Sequence, residues 1–344
     1  MLKGLQQYRY ISVGIVIILI GIVSGFGCSS ADIYPRSRVE SITFCTDWTV
    51  PWTEWILWEN GIEAGVYKKH NIQLLIEKPA VPLESLNMLA TGWCDIGYAY
   101  QADLMVLRTQ KRAPVEAIAA FFPGNRWGLA YLRSEELAAP TDLQGKQISL
   151  YNLQTDHSYF KLWMTQQGYS PTEFTLIEGG DWNTEILQAG HTQAVSAWEN
   201  SEVPFLEFAN PGREVVFVPV APQDNLPYLT VMAANSRFAR RHSGATRRFL
   251  AATLESLKDA IGNPARAVNR FLSRHPEIPR SEYPRWHSAW KRAISMAAVQ
   301  QKGRLDSSRW NTALQNLATI GVLPQNLPEN DGFTNSYCPE VLQQ

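Results

Sequence analysis

The chain has 344 residues, 45% hydrophobic and 18% charged, with a formal net charge of -1. That composition excludes a disordered chain, and a charge so near zero gives no reason to expect nucleic acid or an acidic membrane surface as the main partner. The length exceeds what one ordinary core fills, so two lobes are expected. Twelve tryptophans are many for such a chain, and large aromatics gather in cores and binding surfaces.

In chain order, residues 1–27 open with Lys3 and Arg9 and run on through seventeen uncharged residues, Ile11 to Gly27. A basic start, a short apolar run and a small-residue end read as an export signal. The run is shorter than the ~20 residues a spanning helix needs. It stops at Cys28, so a lipid on Cys28 that tethers the mature chain to a membrane is the expected processing. Gly25 stands where such signals usually carry Leu, and plain cleavage or a retained anchor helix are the alternatives. All three place the protein outside the cytoplasm, periplasmic or on the cell surface. Residues 28–37 read as a linker.

From there strands and helices alternate. Residues 39–45 are a strand, 52–69 a helix interrupted by Gly61 and Gly65, 71–80 a strand and 81–92 a helix closed by Gly92. Strand 94–100, helix 101–110 and strands 115–122 and 127–133 follow. This makes residues 38–135 the first part of lobe 1, with α/β character and a largely parallel sheet. Residues 136–224 form lobe 2: strand 147–152, helix 156–168, strand 173–180, helix 181–190, strand 192–199 and strand 213–220. Residues 225–344 return to lobe 1 through a strand near 226–238. They then become almost wholly helical, a tail that wraps one lobe, with Pro264 at a first helical turn.

Cys45, Cys94 and Cys338 remain after the signal. No pair has metal-ligand spacing. Export permits a disulfide without fixing its partners, so buried free thiols are expected. Neither a metal nor a cofactor is called for.

Several segments, in order, carry a resemblance: "DW" at 47–48, "ENGIEAGVYKKHNIQLLIEK" at 59–78, "LATGWCDIGYAYQADLM" at 89–105, "PTDLQGKQISLYN" at 140–152, "AIGNPARAV" at 260–268, "DSSRW" at 306–310 and "GFTNSYCP" at 332–339. Together they resemble the NMT1/THI5-like family of bacterial substrate-binding proteins, in the branch for pyrimidine precursors of thiamine, over residues 38–339. The resemblance implies the type II periplasmic-binding fold, two α/β lobes joined by two crossovers around a ligand cleft. It implies a monomeric receptor that hands a small aminopyrimidine to the permease and ATPase subunits of an ABC importer. Relatives in other branches take sulfonate, taurine or nitrate. The pyrimidine branch commonly has a histidine after its first strand; this chain has "DWTVPWTEWILW" there, with Glu54 near the histidine's place.

Candidate ligand contacts cluster at strand ends, where open α/β sheets bind. Asp47 and Trp48 follow the first strand: an indole stacks on a flat ring and a carboxylate accepts from an exocyclic amine. Trp52, Glu54 and Trp55 come next, with Trp52 and Trp55 placed so that one faces the cleft and one the core; Trp58 belongs to the core. Tyr100 and Gln101 end the third strand. Asn152, Thr155 and Asp156 surround a helix start in lobe 2, where free N–H groups suit an anion. Trp198 and Glu199 end a lobe 2 strand, and Tyr228 lies at the return. Carboxylates without a clear base suit a neutral or cationic aminoheterocycle, and Arg126 is the counter-candidate that an anion would need. An enzyme is the rival from another class, yet there is no Ser-His-Asp order, metal spacing or phosphate loop, and His157 is the only histidine near a strand end expected at the cleft. A sensor domain for the same solute is the remaining alternative.

Overall fold

A computed structural model describes residues 39–82, 84–179, 183–220 and 227–339. The signal at 1–27, the linker at 28–37 and the lipidation candidate Cys28 lie outside the described residues.

The strands in chain order are β1 (Glu40–Cys45), β2 (Ile72–Glu77), β3 (Ile96–Tyr100), β4 (Val115–Ala119), β5 (Trp127–Leu132), β6 (Gln147–Leu150), β7 (Thr175–Glu178), β8 (Ala194–Trp198), β9 (Val215–Pro219) and β10 (Thr230–Asn235). They form two five-stranded sheets, β2-β1-β3-β10-β4 and β7-β6-β8-β5-β9. In each, the strand that has just crossed from the other sheet runs antiparallel to both neighbours: β10 against β3 and β4, β5 against β8 and β9. The central β3, β8 and β10 are buried at every position, as a strand covered on both faces must be.

The first lobe ends earlier than residue 135. β5 belongs to the second sheet, so the first crossover is residues 120–126. Two successive apolar strands look alike in sequence whichever sheet they join; Pro123 and Gly124 carry the turn between them. Gly124 lies so close to the Met296 backbone that an added Cβ would sit 3.0 Å from its carbonyl oxygen. The second crossover joins β9 to β10.

The helices are α1 (Trp55–Glu63), α2 (Val66–Lys69), α3 (Glu84–Thr91), α4 (Gln101–Lys111), α5 (Gln154–Gln167), α6 (Asn183–Gln188), α7 (Glu202–Ala209), α8 (Ser236–Arg241), α9 (Ser243–Gly262), α10 (Pro264–Arg274), α11 (Tyr283–Ser295) and α12 (Ser307–Thr319). The 52–69 helix begins only at Trp55 and breaks at Gly65, which has φ 72°, a conformation open to glycine at no steric cost. Helix α7 was not read from sequence.

The tail does not wrap one lobe alone. Helices α9 and α10 pack on α1, whereas α11 packs on α7 and α12 on α5. Phe205 of α7 meets Trp286 of α11 with ring centroids 5.2 Å apart, and Lys161 of α5 donates to the Ile320 carbonyl at 2.7 Å. The "DSSRW" segment explains itself here. Asp306 caps α12 by accepting from the Arg309 N–H at 2.8 Å. Arg309 Nη2 donates to the carbonyls of Pro123 at 2.5 Å and Pro227 at 2.8 Å, one on each crossover.

The expectation of three free thiols is corrected. Cys45, ending β1, is disulfide-bonded to Cys94, just before the adjacent β3, with Cα atoms 5.9 Å apart. Strand pairing at Phe44↔Ile96 and Cys45↔Gly97 brings the two ends together, a neighbourhood that sequence separation does not reveal. Cys338 is free and buried.

Candidate functional site

A small pocket is lined by Trp48, Trp52, Tyr100, Tyr151, Leu153, Trp198 and Glu202. Each lobe supplies it from the C-terminal ends of two central strands. Trp48 follows β1 and Tyr100 ends β3; Tyr151 and Leu153 follow β6 and Trp198 ends β8. Trp48 and Tyr151 approach edge to face with centroids 5.4 Å apart. Tyr100 and Trp198 are 5.7 Å apart, and Tyr151 and Trp198 5.8 Å. Two of these three ring pairs span the lobes.

Asp47 lies behind this cage rather than in it. Its carboxylate, 1% exposed, accepts from the Tyr100 hydroxyl at 2.6 Å, the Trp52 indole at 3.0 Å and the Trp55 indole at 3.3 Å. Burial pushes its pKa up. Asp47 therefore fixes three aromatic side chains and does not present itself to an amine. Of the two tryptophans it holds, Trp52 lines the pocket, whereas Trp55 is buried against Trp58 and His275.

Glu54 is also displaced from the cleft. It is fully buried and accepts from Asn125 at 3.1 Å on the first crossover, Asn200 at 2.8 Å in the second lobe and Thr230 at 3.0 Å on β10. Burial pushes its carboxyl up to about 8. It is a staple between lobes.

The lobe 2 expectations divide in the same way. Asn152 is exposed and the buried Thr155 is the second residue of α5. The N-terminus of α5 is already filled: Asp103 of α4 accepts from the Gln154 N–H at 3.1 Å, the Thr155 N–H at 3.0 Å and the Thr155 hydroxyl. Thus a carboxylate of lobe 1 sits where an anion would bind. Asp156 is buried and accepts from the Trp127 indole at 3.2 Å, with its pKa pushed well up by burial.

Glu199 does not face the cleft. It forms a two-point ion pair with Arg126, one contact at 2.7 Å. The register Trp127↔Trp198 puts the two residues opposite one another, so the expected acid and its counter-candidate base neutralise each other as a cross-strand pair. Gln101 accepts from the Tyr228 N–H at 2.8 Å. Tyr228 accepts from the Asp306 N–H at 2.7 Å, and the Arg309 guanidinium lies 4.1 Å from its ring centroid. Tyr228 lies on the return crossover and Gln101, at the start of α4, braces it; neither lines the pocket. His157 is exposed.

Sequence reasoning missed Tyr151, Leu153 and Glu202. Strand alternation was the available signal for the first two, which flank the exposed Asn152. Glu202 required reading α7, whose start "SEVP" has Ser201 before Glu202 and a proline inside the first turn. Glu202 is 8% exposed. Its two oxygens accept from the Tyr151 hydroxyl at 3.2 Å and the Trp198 N–H at 2.9 Å. Burial pushes its pKa up to about 7. No Lys or Arg is among the described residues that line the pocket, and no group of metal ligands occurs among the described residues.

Residues 60–267, more than half of the chain, match the family model described as NMT1/THI5 like, and the chain belongs to that family. It is 20% identical to the formylaminopyrimidine-binding protein of Halalkalibacterium halodurans over 333 residues, 93% of this chain and 98% of that protein. It is 23% identical to the 4-amino-5-hydroxymethyl-2-methylpyrimidine phosphate synthase of Schizosaccharomyces pombe over 315 residues, 86% of this chain and 85% of that protein. Among solved structures, the alkanesulfonate-binding protein SsuA from Xanthomonas axonopodis pv. citri bound to MOPS superposes with a TM-score of 0.65 and 12% identity, covering 87% of this chain and 99% of that one. The fold is the type II periplasmic-binding fold, two α/β lobes with the cleft between them.

Proposed function

From its place in the NMT1/THI5-like family, we propose that this protein is an extracytoplasmic receptor that captures a small aminopyrimidine, a thiamine precursor or breakdown product, and delivers it to an ABC importer. The observation that carries the reading is the composition of the pocket: five aromatic side chains drawn from both lobes and one carboxyl group, Glu202, with no base. Rings on both sides hold a flat heterocycle by stacking, and the carboxyl accepts from its exocyclic amine. Lobe closure brings the two halves of the cage together and buries the ligand. Delivery to permease and ATPase subunits, and a lipid tether at Cys28, complete the proposed route. A formylaminopyrimidine binder among its relatives supports the ligand class.

A sulfonate, taurine or nitrate binder is the alternative that the SsuA likeness raises. It is disfavoured by two observations. The α5 terminus is filled by Asp103, and Arg126 is committed to Glu199. A synthase like the S. pombe relative is disfavoured because the pocket-lining residues include no histidine, cysteine or lysine. Titration of the intrinsic tryptophan fluorescence tests the reading. The cage predicts saturable quenching by hydroxymethyl-aminopyrimidine and none by an alkanesulfonate; the reverse pattern overturns it.

A further inference from the structure

The carboxyl groups around the closed cleft lack the counter-charge that buried carboxylates normally require. Asp47, Glu54, Asp156 and Glu202 are all at most 8% exposed, and none is in an ion pair among the described residues. Each is held instead by neutral donors: indoles, hydroxyls, amides and backbone N–H groups. An unpaired charge in such a place is costly and is relieved by a proton or by a cation.

Only Glu202 of this set lines the pocket. Every neighbouring element leaves it without a base. Tyr151 after β6 and the Trp198 N–H of β8 donate to it. Asp156 of α5 and, from the other lobe, Tyr100 feel its charge, and Asp47 lies behind Tyr100. β8 and β9 carry no charged residue. Glu207, on its own helix, is paired with Arg292 of α11, and Arg285 of α11 lies over the Phe205 ring and pairs with Glu282. On α6, Glu185 adds only negative charge.

We propose that ligand capture is coupled to a proton: the closed complex holds one proton in the bond between Glu202 and a ring nitrogen of the heterocycle. This rests on the reading of the cleft as an aminopyrimidine site. One donor engages each Glu202 oxygen, so each oxygen keeps a second lone pair with which to meet a ring edge. A protonated carboxyl there donates to the ring nitrogen while its second oxygen accepts from the adjacent amino group, a matched two-point contact. Written with the proton on the nitrogen, the same complex is a carboxylate against a pyrimidinium. In either form, one proton enters from solvent when both free partners have released theirs, and no other bond changes. A carboxylate facing an unprotonated ring nitrogen would instead set two acceptors against each other.

The test is calorimetric titration of the whole protein with 4-amino-5-hydroxymethyl-2-methylpyrimidine near pH 8.5, in two buffers of different ionisation heat. The expected result is uptake approaching one proton per ligand, with affinity falling up to tenfold per pH unit on the alkaline side. Glu202→Gln keeps a donor and an acceptor at the same place. It is expected to bind within about tenfold of the wild-type affinity at pH 8.5, with heats that no longer depend on the buffer. Wild-type binding with equal heats in both buffers overturns the coupling and leaves the aminopyrimidine reading standing. Proton uptake that persists in Glu202→Gln overturns the assignment to Glu202. Failure to bind the heterocycle at any pH overturns the reading of the cleft, and the coupling with it.

Discussion

Trp48 of the first lobe and Tyr151 of the second meet edge to face across the cleft, with ring centroids 5.4 Å apart and planes at 74°. The contact needs the lobes close together, so on the proposed reading it joins ligand recognition to lobe closure. A heterocycle entering here would lie against surfaces from both lobes. Each aromatic pair is worth about 0.5–1.5 kcal/mol beyond its buried area.

Trp48→Ala is therefore expected to weaken aminopyrimidine binding at least tenfold, about 1.4 kcal/mol, with an unchanged circular dichroism spectrum. Trp93, exposed by 70% and outside the cleft, supplies the control: Trp93→Ala keeps wild-type affinity. Equal affinities in all three proteins would remove Trp48 from the site.

Asp103 holds the lobes together by capping α5 from α4. Hydrogen bonds to a charged acceptor contribute about 1.5–3 kcal/mol each when they cannot be replaced. Asp103→Ala is expected to open the free protein, seen as a larger radius of gyration in solution scattering, and to weaken ligand binding about tenfold or more. An unchanged scattering profile would show that other contacts set the closed state.

The pH dependence of stability follows from Glu54. Its carboxyl moves from an ordinary 4.5 up to about 8 on folding, so the native chain binds more protons than the unfolded one throughout that window. Its contribution is full below about pH 4.5 and is lost as pH rises through about 8, with a slope of up to about 1.4 kcal/mol per unit. Glu202 acts in the same sense up to about 7. Thermal midpoints of Glu54→Gln are expected to fall less steeply between pH 5 and pH 8 than those of the wild type. Parallel curves for the two proteins would count against this account.

The Cys45–Cys94 bond closes a loop with a sequence separation of 49. Such a loop implies about 4 kcal/mol of stabilisation in the chain-entropy picture, with native disulfides spanning about 2–5. Replacing both cysteines with alanine is expected to lower the denaturant midpoint accordingly. Cys338→Ala, a change at a buried free thiol, should have a smaller effect than the double replacement. An equal loss in both would assign the effect to packing rather than to the cross-link.

Much of the fold was legible because its signals are local and repeated. Alternating apolar runs and glycine stops marked nearly every strand and helix, and the Trp48 position followed from the end of β1. What failed was pairing. That β5 belongs to the second sheet, that Cys45 lies beside Cys94, and that Arg126 faces Glu199 are facts of strand register between distant segments. Within the site, Asp47 and Glu54 look from sequence like ligands for an amine. In the fold they hold tryptophans and lobes, because donors from far along the chain converge on them. Glu202 stayed hidden because α7 has only eight residues and went unread despite the Ser201 and Pro204 that mark its start, and with it went the one carboxyl group among the described residues that line the pocket.

The central claim is that the aromatic cage takes an aminopyrimidine and not an anion. Calorimetry with a panel of hydroxymethyl-aminopyrimidine, its formylated relative, thiamine, taurine, an alkanesulfonate and nitrate tests it most directly. The account predicts micromolar or tighter binding of a pyrimidine and no measurable heat from the anions. Binding of an anion alone would contradict it, and would require Arg126 to leave Glu199 or Asp103 to leave the start of α5.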